Sequence, residues 1–348
     1  MNINFSMWRT AIWTLVKMDK KDEWDKLDVI SKWLIATRSG VTLVTVYTCV
    51  ISGLLAIRDH YFSFFPWLIM TLGLFIAHGT NNLLNDYTDF SRGIDKDNYF
   101  RTQYGVHPLV QEFWSKPTQL RWFTISGVIA FLSGIFALFY SHFSPIAIGF
   151  FAFGALALLL YTYPLKYFGL GELFIFLIWG PVMIAGVYTV LALHNGNLSN
   201  IWNVVLAGVP YGLSVASINV GKHIDKMRDD AKKGVGTLPV RIGETAARYL
   251  NIAVLLLIYL VVIYLVFVPR YFTPVMLIIL YAIKPLIPAL KVLSKPHPDA
   301  PPPGYPIWPT YFSAFNFSHN RTLGGLFILA LIADTLLRLF LPAFWAMR

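Results

Sequence analysis

Charge is scarce in this sequence: Asp, Glu, Lys and Arg make up 13% of 348 residues, about half the share of an average soluble domain. With 56% hydrophobic residues, that scarcity excludes a single soluble core and a disordered chain. Cysteine is nearly absent. Cys49 is the one thiol, which excludes an intrachain disulfide and a thiolate metal cluster. The opening residues, MNINFSMWRTAIWTLVK, lack a basic start followed by an apolar core and a small-residue cleavage site, so no cleaved signal is expected. Strict apolar–polar alternation is missing too, which argues against barrel strands.

Apolar runs are what the sequence has. They come in blocks of about 20 residues, the length a helix needs to cross the hydrocarbon core. Nine spans are predicted, at 41–57, 64–84, 119–140, 145–163, 173–194, 203–220, 247–268, 272–292 and 322–345. The expected fold is therefore all-α and polytopic. Residues 1–40 form an N-terminal segment, and 41–348 a single membrane domain with long loops at 85–118, 221–246 and 293–321.

Alternating spans put those loops, the N-terminal segment and the connector 164–172 on one side. That side collects most of the Lys and Arg, whereas the other holds Arg58, Arg270 and Arg348. The positive-inside rule makes the basic face cytoplasmic, with the N-terminus inside. The formal net charge of +10 is then topological, and no soluble basic domain is present to suit nucleic acid. Trp8, Trp13, Trp24 and Trp33 among mixed charges fit a helix lying in the headgroup region. The stretch PHPDAPPPGYPIWP, 296–309, is not helical, because proline removes donors and clashes with the preceding turn; it reads equally as a lid over a site or as a rigid connector.

Acids are few, yet they gather at two span ends on the same face. One group is Asp86, Asp89, Asp95 and Asp97 in TNNLLNDYTDFSRGIDKD; the other is Asp225, Asp229 and Asp230 in SINVGKHIDKMRDDAKKGVGTLPVRIG. Asn81, Asn85 and Asp89 are spaced four apart and share a helical face, and Asp225 repeats that relation with Asp229. Carboxylates four apart repel unless a cation lies between them, and such oxygen ligands, completed by substrate phosphates, suit magnesium. Each group begins from an intramembrane asparagine, Asn85 or Asn219, and polar groups entering the membrane from one side mark a site. Arg38, Arg92, Arg101, Lys166 and Lys222 flank the acids and supply the cations a diphosphate needs. Read singly, each acid is also a helix-end cap or a solvated loop group, and each base a snorkelling charge.

From about residue 30 onward the chain resembles the UbiA superfamily of intramembrane prenyltransferases. NDYTDFSRGID looks like the Asn/Asp-rich signature of its 1,4-dihydroxy-2-naphthoate branch in menaquinone synthesis, and GLGELFIFLIWGP, 169–181, is similar to a further stretch of that branch. The resemblance implies nine helices around a central cavity open to lipid, with the two acidic motifs facing each other at its cytoplasmic end. It implies a metal–diphosphate set of Asn85, Asp89 and Asp95, with Asp86 as neighbour; together with the basic partners, the expected catalytic residues are Asp89, Asp225 and Lys166.

The second motif departs in register. In the family the pair lies four apart, with the later acid four residues before a glycine. Asp225 and Asp229 keep the first spacing, while Asp230 is the acid four before Gly234, so all three stay candidates and Asp225 is favoured by position. His107 stands where an arginine often precedes Pro-Leu, and Arg38-Ser39 replaces the usual Arg-Pro.

The expected activity is magnesium-dependent transfer of a polyprenyl group from its diphosphate to an aromatic acceptor such as 1,4-dihydroxy-2-naphthoate, which then loses carbon dioxide. Tyr161 and Tyr163 are candidates to steady an allylic cation through their ring faces. The rival is an ion-coupled transporter, which requires polar groups near the midplane reachable from both sides.

Overall fold

The computed structural model describes residues 3–95, 100–103, 105–194, 196 and 198–341, without the side chains of Arg101 and Thr102. The described residues are helical and contain no strand. Three short helices open the chain: α1 (Phe5–Trp13), α2 (Lys21–Asp25) and α3 (Val29–Ala36). The long helices α4 (Ser39–Arg58) and α5 (Phe64–Ser91) follow, then α6 (Phe100–Gln103), α7 (Lys116–Tyr140) and α8 (Pro145–Leu160). Next, α9 (Gly171–Leu177) continues through a π-turn, Ile178–Val182, into α10 (Met183–His194), and α11 (Ile201–Asp225) leads to α12 (Met227–Lys232) and α13 (Leu238–Ile242). The chain ends with α14 (Glu244–Phe267), a 3-10 stretch Pro274–Ala282 that runs into α15 (Ile283–Leu293), and α16 (Phe312–Phe340).

Seven helical segments among the described residues are long and apolar enough to cross a membrane. The two other expected spans correspond to α8, which has 16 residues, and α5, whose second half carries the polar run HGTNNLLND. Three boundaries differ from expectation: helix α5 runs on to Ser91 instead of ending at 84, so the first acidic group begins on the helix and not in a loop. Helix α11 runs on through residue 225 instead of ending at 220, and α16 begins at Phe312, ten residues before the expected span.

Helix α11 is the most enclosed of these segments and forms the axis of the bundle. Its close packing depends on Gly180, whose backbone leaves helical geometry at φ −118° and ψ −108°. A side chain at that position would meet Gly208 O at 2.8 Å and Gly212 Cα at 2.8 Å, so only glycine lets the two backbones touch.

The N-terminal segment is a packed layer. Trp24 is fully buried and stacks on Phe113 at 5.2 Å, with Trp114 at its edge. These residues share one apolar cluster with Leu83 of α5, so Trp24 is a core residue, whereas Trp13 is exposed. Asp28 caps α3 by accepting from Ile30 N and Ser31 N, and also takes the Trp8 indole N–H at 3.0 Å. That ties α1 to α3.

At the end of the bundle away from the acidic motifs, charges form a closed network. Arg58 Nε lies 3.0 Å from Asp59, its Nη1 lies 3.7 Å from Asp334, and its guanidinium stacks on Tyr271. Tyr188 donates to Asp59 at 2.6 Å. Arg58, one of the three arginines expected on the side opposite the basic loops, is buried, and these acids offset its desolvation. Arg348 lies outside the described residues.

Candidate active site

Two helical faces build a polar cavity of about 150 Å³ at the motif end. Helix α5 contributes His78, Asn81, Asn82, Asn85 and Asp89, and α11 contributes Asn219, Lys222, His223 and Lys226. Apart from the adjacent pairs Asn81–Asn82 and Lys222–His223, successive members are three or four residues apart, so one stripe of each helix faces inward. Arg38 and Lys166 complete the cationic lining.

Lys166 comes from the short 3-10 turn Leu165–Phe168 between α8 and α9. Its Nζ sits 2.9 and 2.7 Å from the two Asp89 oxygens and 3.4 Å from Asn85 Oδ1, and it is buried. Arg38 occupies the left-handed region, φ 57°, at the corner between α3 and α4. That costly conformation for a non-glycine residue goes with a guanidinium that meets Asp86 Oδ1 at 3.2 Å and Asn82 O at 3.3 Å.

The remaining expected residues fall elsewhere. Asp95 is buried against His107 Nε2 at 2.9 Å and does not line the cavity. Asp86 also lies behind the lining, on Arg38. Arg92 caps α5 and stacks on the rings of Tyr163 and Tyr167, at 4.0 and 5.0 Å. Burial pushes the Tyr167 phenol up to about 12, Asp89 adds to that, and Arg92 opposes it. Arg101's side chain and Asp97 lie outside the described residues.

Asp225 was favoured as a metal ligand, but the structure commits its carboxylate to capping. It accepts from Tyr311 N at 3.0 Å, Phe312 N at 2.8 Å, Ser313 N at 3.1 Å and Ser313 Oγ at 2.5 Å. These are the unsatisfied donors of the first turn of α16, where a negative charge is favoured. Gly221 makes this approach possible, since a side chain there would meet Ser313 N at 2.9 Å. Asp230 is fully buried, with Oδ1 3.0 Å from Lys226 Nζ and Oδ2 3.4 Å from Thr237 Oγ1. Asp229 sits in the first turn of α12, off the cavity lining. In the proline-rich stretch His297 lies among Trp308, Tyr311 and Phe312, and none of these four lines the cavity.

Sequence reasoning missed three features. His223, not among the expected site residues, is buried with Nδ1 2.5 Å from Glu172 of α9. His78 and Trp179 were not singled out. The Trp179 indole N–H donates to Thr45 Oγ1 at 2.8 Å, and that hydroxyl is 2.8 Å from His78 Nδ1. A signal for His78 was present, because it lies three residues before Asn81 on the same face of α5.

Next to the polar cavity is an apolar one of about 360 Å³, between α5, α7, α8 and the α9–α10 segment. His78, Asn81, Tyr161, Ile175 and Trp179 line both. The two chambers are therefore contiguous: the first is cationic, the second almost entirely hydrocarbon and aromatic.

The UbiA prenyltransferase family profile matches residues 45–318. The human UbiA prenyltransferase domain-containing protein 1 is 33% identical over 193 residues, 53% of this chain and 53% of that protein. The 1,4-dihydroxy-2-naphthoate octaprenyltransferase of Haemophilus influenzae is 29% identical over 201 residues, 53% of this chain and 60% of that protein. The chain thus spans little more than half the length of these relatives. Among solved structures, one of digeranylgeranylglyceryl phosphate synthase in membranes superposes with a TM-score of 0.54 at 18% identity, covering 88% of this chain and 98% of that one, which is a likeness of fold. On the extent of the family match, the chain belongs to the UbiA prenyltransferase family.

Proposed function

We propose that the protein transfers a polyprenyl group from its diphosphate to an aromatic ring carbon, with 1,4-dihydroxy-2-naphthoate as the acceptor and loss of carbon dioxide afterwards. The observation that carries this reading is the pair of contiguous chambers. A cationic cavity suits a diphosphate head, and the apolar cavity beyond His78 and Trp179 suits its hydrocarbon tail. The 1,4-dihydroxy-2-naphthoate octaprenyltransferase relative supports the choice of acceptor. The Lys and Arg surplus around the motif end supports a cytoplasmic position for that end.

In this reading Arg38, Lys166, Lys222 and Lys226 hold the diphosphate oxygens. Asn85 and Asp89 present side-chain oxygens in the cavity wall, a donor set that fits one magnesium ion. Such an ion, when bound, adds charge neutralisation to the leaving group. The bond between the allylic carbon and the diphosphate oxygen breaks, and its electron pair leaves with the diphosphate. Tyr161 and Trp179 at the junction offer ring faces to the allylic cation, and the apolar chamber keeps water away from it. The acceptor ring supplies the electron pair of the new carbon–carbon bond. His223, oriented by Glu172, is a cavity imidazole placed to take the proton from the alkylated ring carbon; when the neighbouring carboxylate leaves as carbon dioxide, a proton takes its place on the ring carbon that carried it.

Ion-coupled transport is less well supported. It requires polar groups reachable from both sides, whereas the charges at the opposite end close on one another through Arg58, Asp59 and Asp334. Purified protein given magnesium, radiolabelled polyprenyl diphosphates and a panel of aromatic acids tests the proposal. A prenylated naphthoquinol-type product is expected; a product with another acceptor replaces the acceptor, and no product with any acceptor overturns the reading.

A further inference from the structure

We infer that the α11 wall grips the diphosphate directly through Lys222 and Lys226 and holds no metal ion, so that the site takes one metal ion, on the α5 wall. This rests on the prenyl-diphosphate reading and specifies how that site is charged.

The register of α11 carries the inference. Its cavity-lining residues are Val215, Ile218, Asn219, Lys222, His223 and Lys226, one continuous stripe without a carboxylate. The three acids of this region are committed elsewhere. Asp225 lies on another face, its oxygens taken up by the first turn of α16. Asp229 lies past the end of α11, off the lining. Asp230 is buried behind the lining, where it binds Lys226 and Thr237.

The sequence register agrees. Asp230 is four residues before Gly234, and the position four before Asp230 is Lys226. Lys222 and Lys226 are four residues apart, so both belong to the stripe that lines the cavity. Magnesium needs oxygen donors, and an ammonium has none to offer.

Charge points the same way. Among the described residues, Arg38, Lys166, Lys222, Lys226 and Asp89 are the charged side chains of the lining. Like charges repel more strongly in a partly dehydrated cavity than in water, so the ammonium groups of Lys222 and Lys226 oppose a divalent cation beside them and attract a polyanion. Asp230 anchors Lys226 from behind, which keeps its ammonium in the wall. On the α5 side the situation is reversed: Lys166 Nζ already sits between Asn85 Oδ1 and Asp89, marking a point where one cation is favoured.

The test counts metal ions without turnover. Full-length protein in detergent is saturated with unreactive geranyl S-thiolodiphosphate and titrated with manganese, and bound ions are counted from the loss of the free-manganese resonance. One ion per chain is expected, and two per chain overturns the inference. Lys222→Met, which leaves the Lys226–Asp230 pair in place, is expected to bind the analogue about tenfold more weakly or worse with the ion count still at one. Analogue affinity equal to the unsubstituted protein contradicts direct contact by Lys222. A chain that yields prenylated product yet binds two ions loses this inference and keeps the proposed function. A chain that binds the analogue with one ion but prenylates no acceptor does the opposite.

Discussion

Lys166 Nζ bridges both carboxylate oxygens of Asp89, at 2.7 and 2.9 Å, with both side chains buried in the cavity wall. Removing one partner of such a pair leaves an uncompensated buried charge, at a cost of roughly 3–5 kcal/mol. Lys166→Met is therefore expected to lower kcat/KM for the prenyl diphosphate by about 10- to 100-fold, the scale of a lost bond to a charged group. It is also expected to lower the melting temperature in metal-free buffer, with partial recovery in magnesium. Unchanged kinetics in steady-state assays would remove Lys166 from the diphosphate site.

Glu172 holds His223 through Nδ1 and does not itself line the cavity, so it acts as a positioning residue. Glu172→Gln is expected to reduce kcat by about 10- to 100-fold, within the range of general-base contributions, while KM for the diphosphate stays within about twofold. Glu172→Asp is expected to recover part of the loss. A change confined to KM would show that the pair serves binding instead.

Asp225 is expected to behave as a structural residue. Asp225→Ala removes the acceptor for four donors at the start of α16, and leaving such donors unsatisfied costs roughly 1–3 kcal/mol. A melting temperature several degrees lower in detergent, with an unchanged manganese count, is the predicted outcome. Loss of a bound ion in this variant would return Asp225 to the ligand set.

The register of α11 also shows what was legible in the sequence. Apolar run lengths located the spans, and the i, i+4, i+8 spacing of Asn81, Asn85 and Asp89 placed a polar stripe that does line the cavity. The spacing of Asp225 to Asp229 suggests a pair, whereas helical periodicity extended from Asn219 selects other residues for the cavity face. Three, four and seven residues on from Asn219 are Lys222, His223 and Lys226, all in the lining, whereas Asp225 turns away. Its real partners, residues 311–313, are distant in sequence, and no local pattern announces a cap made across the bundle. The same holds for Glu172 with His223 and for Trp24 with Phe113.

Asp28 gives the N-terminal layer a pH dependence. Burial alone would raise its pKa, but hydrogen bonds from Ser31, Trp8 and Asn4 outweigh that and hold the carboxyl well below the usual range. A carboxylate whose folded pKa is depressed contributes stability above its unfolded value of about 3.9, and loses it as pH falls through the folded value. Docking of α1 on α3 is thus expected to be constant from about pH 5 to 8 and to weaken only in strong acid, followed by limited proteolysis at the lysines between residues 17 and 26. Asp28→Ala is expected to be cleaved faster already at neutral pH.

The central claim is that the cationic chamber activates a prenyl diphosphate whose chain lies in the apolar one. Release of inorganic pyrophosphate coupled one-to-one to a prenylated aromatic product, measured in the same reaction with magnesium and polyprenyl diphosphate, tests it most directly. The account predicts stoichiometric release that depends on the acceptor and falls at least about 100-fold in Asp89→Ala; undiminished turnover in Asp89→Ala, or no acceptor-dependent release by the unsubstituted chain, would contradict it.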